Sequence, residues 1–448
     1  EENFFKNSSI SSWFSNLKLR ASYGMMGDDN LGGLYPDFAY LSGYTYYKGQ
    51  SLMPDDPFSS VKSKKVIGSA PKGIPVTTIS WMKIKLMNVG IDFGFFDNRL
   101  TGEFDLFKRM RDGIPGTPSD IMFPLETGLS ALPENMNSDM TVGFDAFVKW
   151  NDKVGDLKYS VGANITFARQ KNGKRHGEIF GNAWDKYRWA QSNRWSNVVL
   201  NTDQGNAGGV WMWEVIGRFE TQEQIDSYPV DQDGQNNATV RPGDVILRDV
   251  NGDGIINDFD ERPQAYASAD WPWDSSTSNK NPLISMGINL GFEWKGVDVA
   301  ADFAGGFKNT FVADWDLKWG VTRSVNGYYY NNIDVWRHED IFDPKSPWIP
   351  GKFPALRGQE SHSGRWWNSF YTREVNYLRL RNLVVGYSLP KNWIRKVGME
   401  QCRIYFQGTN LFCLSSLHDY GFDPEISTVN GQDYPQHKVL TLGVNVKF

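Results

Sequence analysis

Apolar and polar residues alternate one by one over long stretches of the chain. In HKVLTLGVNVKF, residues 437–448, Leu440, Leu442 and Val444 fall on one face, whereas Thr441 and Asn445 fall on the other. A β-strand places successive side chains on opposite faces of a sheet, so the pattern predicts strands with one apolar and one polar face. The same alternation occurs in MNVGIDFGF (87–95), LKYSVGANITF (157–167), LISMGINLGFEW (283–294) and VDVAADF (297–303). The sequence therefore predicts an all-β fold.

The connections between these strands are of two kinds, and the two kinds alternate. The pattern predicts ten strands, near 17–25, 80–95, 99–111, 138–150, 156–170, 282–294, 296–308, 374–388, 401–412 and 437–448. Short connections lie at 96–98, 151–156, 294–296 and 389–400, and long ones at 26–79, 112–137, 171–281, 309–373 and 413–436. A soluble β-sandwich has no reason to keep this asymmetry, whereas outer-membrane barrels join short periplasmic turns to long extracellular loops. We therefore expect a transmembrane antiparallel β-barrel with long extracellular loops.

The composition favours the same class. Aromatic residues make up 15% of the chain although its mean hydropathy is −0.49. A membrane barrel needs aromatic girdles at both interfaces and stays hydrophilic because its lumen and loops are wet. No apolar run approaches the about 18 residues of a membrane-spanning helix. The net charge of −5 argues against a general nucleic-acid binder, which needs a positive surface.

The ends and the cysteines give weaker constraints. The first residues, EENFFKNSSISSWF, do not have the basic start and apolar core of a signal peptide, so we expect a chain that begins after processing or a fragment. Cys402 and Cys413 lie near opposite ends of one predicted strand, roughly 36 Å apart at about 3.3 Å per residue. This separation excludes a disulfide between them, and two cysteines build no zinc cluster.

An ordered set of stretches carries a family resemblance. The stretches are LKLRASYGMMGDDN, MNVGIDFGFFDNRLTGEFDLFKR, WEVIGRFETQEQIDSYP, PGDVILRDVNGDGIINDFDERP, YLRLRNLVVGYSLPKNW, IYFQGTNLF, GFDPEIS and YPQHKVLTLGVNVKF. In this order they resemble the C-terminal half of SusC/RagA-type TonB-dependent transporters of Bacteroidota. The resemblance covers nearly the whole chain, 1–448, and implies the C-terminal part of a TonB-dependent receptor barrel of about 22 strands.

The resemblance also implies partners. In that family an N-terminal plug and TonB box precede the barrel, and neither is visible in this sequence. An open ten-stranded sheet leaves unpaired backbone groups in lipid, so we expect the remaining N-terminal barrel and plug on another piece. The family further implies a cell outer membrane location in contact with outer-membrane lipid. It also implies a SusD-like surface lipoprotein that acts as a lid, and energy for import that the TonB complex supplies through the absent N-terminal region.

The function implied by the resemblance is active import of oligosaccharides (glycans). The alternatives are a SusC/RagA-like importer of peptides and a passive porin-like barrel. A calcium-dependent carbohydrate-active enzyme is a third class. The five histidines form no metal-ligand pattern, and GxSxG, P-loop and dinucleotide motifs are absent, so we expect no enzyme.

The long loops are rich in tryptophan. Flat aromatic faces beside polar groups suit sugar rings, although long loops also bury tryptophans in cores of their own. WPWD at 271–274 places two tryptophans around a proline, followed by an acid, and gives our substrate-binding candidates, Trp271, Trp273 and Asp274. At the other end, Phe448 closes an alternating strand and is predicted to act as a barrel assembly signal, or to be a lipid-facing aromatic.

Residues 249–261, DVNGDGIINDFDE, fit the EF-hand loop rule without flanking amphipathic helices. Gly254 permits the sharp turn, and Asp260 in place of Glu shortens the closing ligand. We predict a structural Ca2+ site that stiffens the loop; the alternative is an Asx-turn loop held by its own backbone or by another counterion. The predicted ligands are the side chains of Asp249, Asn251 and Asp253, the carbonyl of Ile255, Asn257 through water, and the carboxylate of Asp260.

Overall fold

The structure is a computed structural model of the chain. It describes residues 13–29, 40–50, 66–71, 74–118, 121, 124, 131–173, 183, 210–265, 282–312, 334–355, 368–418, 422–425, 434 and 436–448. The strands in this part of the chain are β1 (Phe14–Asp28), β2 (Tyr44–Gln50), β3 (Val66–Pro71), β4 (Met82–Phe95), β5 (Leu100–Gly116), β6 (Glu134–Val154), β7 (Leu157–Asn172), β8 (Val210–Met212), β9 (Val215–Arg218), β10 (Val245–Leu247), β11 (Arg262–Ala265), β12 (Ile284–Trp294), β13 (Val297–Val312), β14 (Arg337–His338), β15 (Trp348–Ile349), β16 (Thr372–Ser388), β17 (Gln401–Ser415) and β18 (Val439–Lys447). Two short helices, α1 (Gln222–Asp226) and α2 (Lys391–Ile394), accompany them.

Ten of the strands form one antiparallel sheet. Its order is β1-β4-β5-β6-β7-β12-β13-β16-β17-β18, so each strand pairs with the wall strand that precedes it in the chain. The ten predicted strands are these ten, and the all-β prediction is confirmed. β1 and β18 form the two ends of the sheet.

Register keeps the two faces of the sheet apart. Ile288 lies opposite Ala163 on one side and Phe303 on the other, which continues an apolar row across three strands. The next residue, Asn289, lies opposite Gly162 and Asp302 and continues a polar row. Period-two alternation combined with this pairing gives every strand the same apolar and polar sides. The sheet therefore has the faces of a barrel wall, apolar toward lipid and polar toward the lumen.

Hairpin connections at one end of the sheet are tight. Residues 96–99 join β4 to β5, residues 155–156 join β6 to β7, and Lys295 and Gly296, with φ of 46° and 90°, join β12 to β13. Positive φ at both central residues suits a two-residue hairpin turn. The predicted turn at 151–156 is shorter than expected, because residues 151–154 continue β6.

The described loop segments at the opposite end include a packed unit, which we call the outer cap and define as residues 210–265, 334–355 and 368–371. Phe219, Ile225 and Val240 form its buried core, with Tyr228 and Ile246 against them. Asn257 opens a 3-10 turn at Asp258–Asp260, and Thr221 caps α1 by accepting from the Gln224 N–H. The cap thus has an interior of its own, although its strands are only two to four residues long.

In the part of the chain that the structure describes, no helix has the length and apolarity needed to cross a membrane.

Candidate functional site

Ion pairs line the polar face of the sheet. Arg20 of β1 donates from Nε to Asp92 of β4 at 2.8 Å and from Nη2 to Asp105 of β5 at 2.8 Å. Arg403 of β17 donates from Nε to Asp298 of β13 at 2.9 Å. The Arg20–Asp92 pair joins neighbouring strands, whereas Arg20–Asp105 reaches across β4 and Arg403–Asp298 reaches across β16, so these side chains cross-brace the wall. A polar, charged inner surface is what an aqueous lumen requires.

Uncharged polar groups continue this surface. The Asn289 side chain donates to Asp302 at 2.7 Å, and Gln407 donates to Asn382 at 3.2 Å. Toward the tight-turn end, Lys158 pairs with Glu293 at 3.0 Å beside an open recess in the polar face. The polar face therefore carries both positively and negatively charged side chains.

A buried charge cluster fixes a loop segment to the wall. Arg379 of β16 contacts Asp423 through Nη2 at 2.5 Å and Glu425 through Nε at 2.8 Å. Glu425 also accepts from Arg381 at 2.5 Å, and Gln436 donates to Glu425 at 3.1 Å. The Arg379 side chain is only 4% exposed. The segment 422–425 is therefore held against the inner face near the outward end of the sheet.

The outer cap is joined to the wall through residues 368–371, which lead directly into β16. Trp213 forms a parallel bridge with Asn368, and the Val215 N–H donates to Ser369 Oγ at 2.9 Å. Arg218 donates to the carbonyl of Gly351 at 3.0 Å and lies over the Phe370 ring at 4.7 Å. The cap is thus attached through residues 368–371 to β16, a strand that carries lumen-facing charge.

The EF-hand-like loop is closed by hydrogen bonds between its carboxylates and its own N–H groups. Asp249 accepts from Gly252 and Gly254, at 2.6 and 2.8 Å. Asp260, fully buried, accepts from the N–H groups of Val250 and Asn257, both at 2.9 Å.

Asp253 completes the loop. It accepts from the Ile255 N–H at 2.9 Å and from the Asn251 side chain at 2.9 Å. The Ile255 N–H, together with the Asn251 and Asn257 side chains, lowers the pKa of Asp253, so this carboxylate is charged. Oxygen donors in a tight loop are the chemistry that Ca2+ uses. The described residues contain no group of three or more His, Cys, Asp or Glu placed to hold a metal ion, and the calcium site stays a prediction.

A second acidic loop lies beside it. The Asp231 N–H donates to the Gly254 carbonyl at 2.9 Å, and the Ile256 N–H donates to the Asp231 carbonyl at 3.0 Å. Within this loop Asp233 accepts from the N–H groups of Gln235, Asn237 and Thr239 and from the Thr239 hydroxyl. Partial burial pushes the pKa of Asp233 upward, but these hydrogen bonds outweigh it and lower the pKa to about 2.

The predicted substrate-binding residues Trp271, Trp273 and Asp274 lie outside the described residues. Three cap tryptophans whose side chains the structure describes have packing roles. Trp213 donates from Nε1 to the Asn257 carbonyl at 2.8 Å, Trp336 is buried, and the Trp348 ring contacts His338 in a tilted arrangement with centroids 3.9 Å apart. These three side chains pack within the cap, as the alternative interpretation of the loop tryptophans predicts.

Phe448 follows β18 directly and is exposed. Its parity with Leu440, Leu442 and Val444 places it on the apolar side. The assembly-signal role stays a prediction. Cys402 and Cys413 are free, and both lie on β17.

The chain is similar to curated and solved proteins over its full length. TonB-dependent receptor SusC of Bacteroides thetaiotaomicron is 23% identical over 460 residues, covering 100% of this chain and 39% of the receptor. TonB-dependent receptor P39 of Formosa agariphila is 22% identical and is covered to 41%. The RagAB peptide importer in its open-open state aligns with 100% of this chain and 41% of the solved chain, with TM-score 0.63 and 19% identity. No family model matches the chain.

The chain is similar to SusC/RagA-type TonB-dependent transporters and has the fold of part of their barrel. It spans about two fifths of the length of the curated relatives it matches. The predicted resemblance is confirmed, and so is the outer-membrane location of the barrel half. The predicted loop boundaries at 171–281 and 309–373, and the absence of plug and TonB box from the chain, stay predictions.

The Arg379 cluster was not predicted from the sequence. Its signal was present: two arginines two residues apart in YLRLRN, and two acids two residues apart in GFDPE. Equal spacing on two segments permits paired contacts, but nothing in the sequence says that the segments meet. The contact depends on how the loop after β17 folds back into the barrel.

Proposed function

We propose that this barrel half belongs to an outer-membrane, TonB-dependent active importer of oligosaccharides. The observation that carries the proposal is the ten-stranded antiparallel sheet with an apolar face and a charged, cross-braced opposite face, aligned over its whole length with TonB-dependent receptors. Such a wall separates lipid from an aqueous path. Transport rather than catalysis is also supported by the names of the relatives, which are receptors and importers.

Peptides are the second candidate substrate. The RagAB structures, which the fold matches at TM-scores of 0.62–0.63, are of a peptide importer or transporter. Oligosaccharides are favoured by the aromatic outward loops, above all by Trp271, Trp273 and Asp274. The packing of Trp213, Trp336 and Trp348 inside the outer cap means that substrate stacking falls to other aromatic residues.

We also propose partners for the whole protein. A plug and the remaining strands close the barrel, because a sheet ending at β1 and β18 leaves edges that need pairing in lipid. A SusD-like surface lipoprotein closes the outward mouth of the barrel, and the TonB complex supplies the energy for import. Calcium in the 249–260 loop stiffens the outer cap on which such a lid rests.

The test is short-term uptake of labelled substrate by a deletion strain complemented with the full-length gene. The cells are given a panel of labelled oligosaccharides or peptides, with and without an ionophore that collapses the proton-motive force. The proposal expects import of at least one oligosaccharide, abolished by the ionophore. Import that survives the ionophore indicates a passive porin, and import of peptides alone selects the second candidate.

A matched pair of variants locates the substrate contact. Replacing Trp271 and Trp273 with Ala is expected to lower uptake by about tenfold or more, because each lost stacking face removes contact area from the bound sugar. The control is Trp294→Phe, at the tight-turn end of β12 and remote from the outward loops. Equal uptake by the double variant and wild type removes these two residues from the site while leaving import itself standing.

A further inference from the structure

The connection at 389–400 differs from the other connections at its end of the sheet. The others are turns of two to four residues, at 96–99, 155–156 and 295–296. This one contains α2 (Lys391–Ile394), which runs straight into a 3-10 turn at Arg395–Val397. It therefore places a short helical element at the periplasmic membrane boundary, between β16 and β17.

The helical element covers the lipid-facing side of the wall. Cys402 lies opposite Val446 in the apolar row, yet it is only 7% exposed, whereas the next residues of that row on β17, Ile404 and Phe406, are 41% and 37% exposed. α2 contacts β17, its Ile394 is buried, and the Leu389 N–H donates to the Cys402 carbonyl at 2.9 Å. The connection thus lies against the apolar face at the last residues of the two strands.

The outer side of the element combines apolar and basic groups. Trp393 and Val397 are four residues apart, so they lie on the same side of a helical turn, and they are 65% and 62% exposed. Lys391, Arg395 and Lys396 surround them and are exposed. Within the described residues these three cations have no carboxylate partner, while the acid of the connection, Glu400, is paired with Lys447 at 3.0 Å.

We propose that this connection is a binding site for an anionic phospholipid of the periplasmic leaflet. Trp393 and Val397 lie at the level of the upper acyl chains. There the apolar part of a tryptophan ring contacts the acyl chains while its N–H group faces interfacial water. The three cations face the phosphate and the net negative charge of the head group. Three cations within six residues, with Glu400 already paired to Lys447, favour an anionic lipid over a zwitterionic one. The site does not depend on which substrate the transporter carries.

The experiment uses the purified full-length transporter and native mass spectrometry with added phosphatidylglycerol or phosphatidylcholine. Wild type is expected to retain phosphatidylglycerol preferentially. Each cation near an anionic head group contributes about fivefold in affinity, and three such factors multiply, so the triple variant Lys391→Gln, Arg395→Gln, Lys396→Gln is expected to lose roughly a hundredfold. The matched control changes Lys83, Lys308 and Lys345 to Gln, which removes the same charge at the outward end.

Two further measurements separate the parts of the site. Trp393→Ala is expected to weaken both lipids equally, because the ring contacts acyl chain rather than head-group charge. In wild type, amide exchange of residues 391–398 is expected to be slower in phosphatidylglycerol nanodiscs than in phosphatidylcholine nanodiscs, a result that needs no variant to fold. Equal retention of the two lipids by wild type, no loss in the triple variant, or an equal loss in the control overturns the proposal.

Discussion

Replacing Arg379 with Met should release the loop segment 422–425 from the barrel wall. Met keeps the length of the side chain but removes the cation shared by Asp423 and Glu425, whose side chains are 8% and 10% exposed. Leaving a buried carboxylate without its partner costs about 3–5 kcal/mol. Glu425 retains Arg381, so the larger part of this cost falls on Asp423.

The assay is amide hydrogen exchange, followed by mass spectrometry, on the full-length transporter in nanodiscs. A cost of about 3–5 kcal/mol corresponds to a loss of protection of roughly a hundredfold to several-thousandfold at 422–425, if the segment exchanges by local opening. Arg381→Met is the matched control, because Arg381 is 40% exposed. An exposed pair contributes at most about 1 kcal/mol, or about fivefold in protection.

Neutralising the two acids together with Arg379 tests the same contact. Adding Asp423→Asn and Glu425→Gln to Arg379→Met removes the uncompensated charge and is expected to restore most of the protection. Three results contradict the reasoning: a loss below about tenfold in Arg379→Met, an equal loss in Arg381→Met, or no recovery in the triple variant. Any of them means that the segment is held by its apolar contacts, such as Phe422 against Phe311.

Three other predictions concern the outer cap. Gly243 has a φ of 92°, and a Cβ added there overlaps the Trp336 side chain. Gly252 has a φ of 75°, but a Cβ added there meets open space. Gly243→Ala is therefore expected to make the cap more sensitive to limited proteolysis than Gly252→Ala does. The pKa of Asp233 in the folded protein is about 2, below its unfolded value of about 3.9. The charged carboxylate therefore stabilises its loop above about pH 3.9, and this stabilisation is lost as the pH falls toward 2. Amide exchange at 231–239 should show that loss in wild type but not in Asp233→Asn. Calcium is expected to slow amide exchange at residues 249–260, a chelator is expected to reverse this effect, and Asp249→Asn is expected to abolish it. Isothermal titration that detects no heat of calcium binding contradicts the site.

The wall was predictable from the sequence because one physical rule governs each residue in it. Side chains in a membrane wall face lipid or water, so alternation in MNVGIDFGF or LISMGINLGFEW gives both the strand and its register. The strands extend beyond the predicted limits, as in β6 (Glu134–Val154) against 138–150. Backbone pairing continues outside the membrane, where alternation is no longer required.

The outer cap was not predictable in the same way. Its strands are two to four residues long, and its core residues Phe219, Ile225 and Val240 come from one helix and two irregular segments. No period links them, and only the folded contacts bring them together. The helix in 389–400 was also missed, because seven helical residues between Pro390 and Gly398 are too few to show amphipathic periodicity.

The order of strands in the wall has a consequence for how the chain folds. β4 and β5 close over a four-residue turn, whereas β7 can pair with β12 only after residues 173–283 have been looped out. Relative to the short turn, closing that loop costs about 3 kcal/mol in chain entropy, and doubling its length adds only about 0.6 kcal/mol. Among the pairings of the ten strands, the β7–β12 seam therefore carries the largest loop-closure cost. Once it has closed, the wall is nearly indifferent to how much chain the outward side carries.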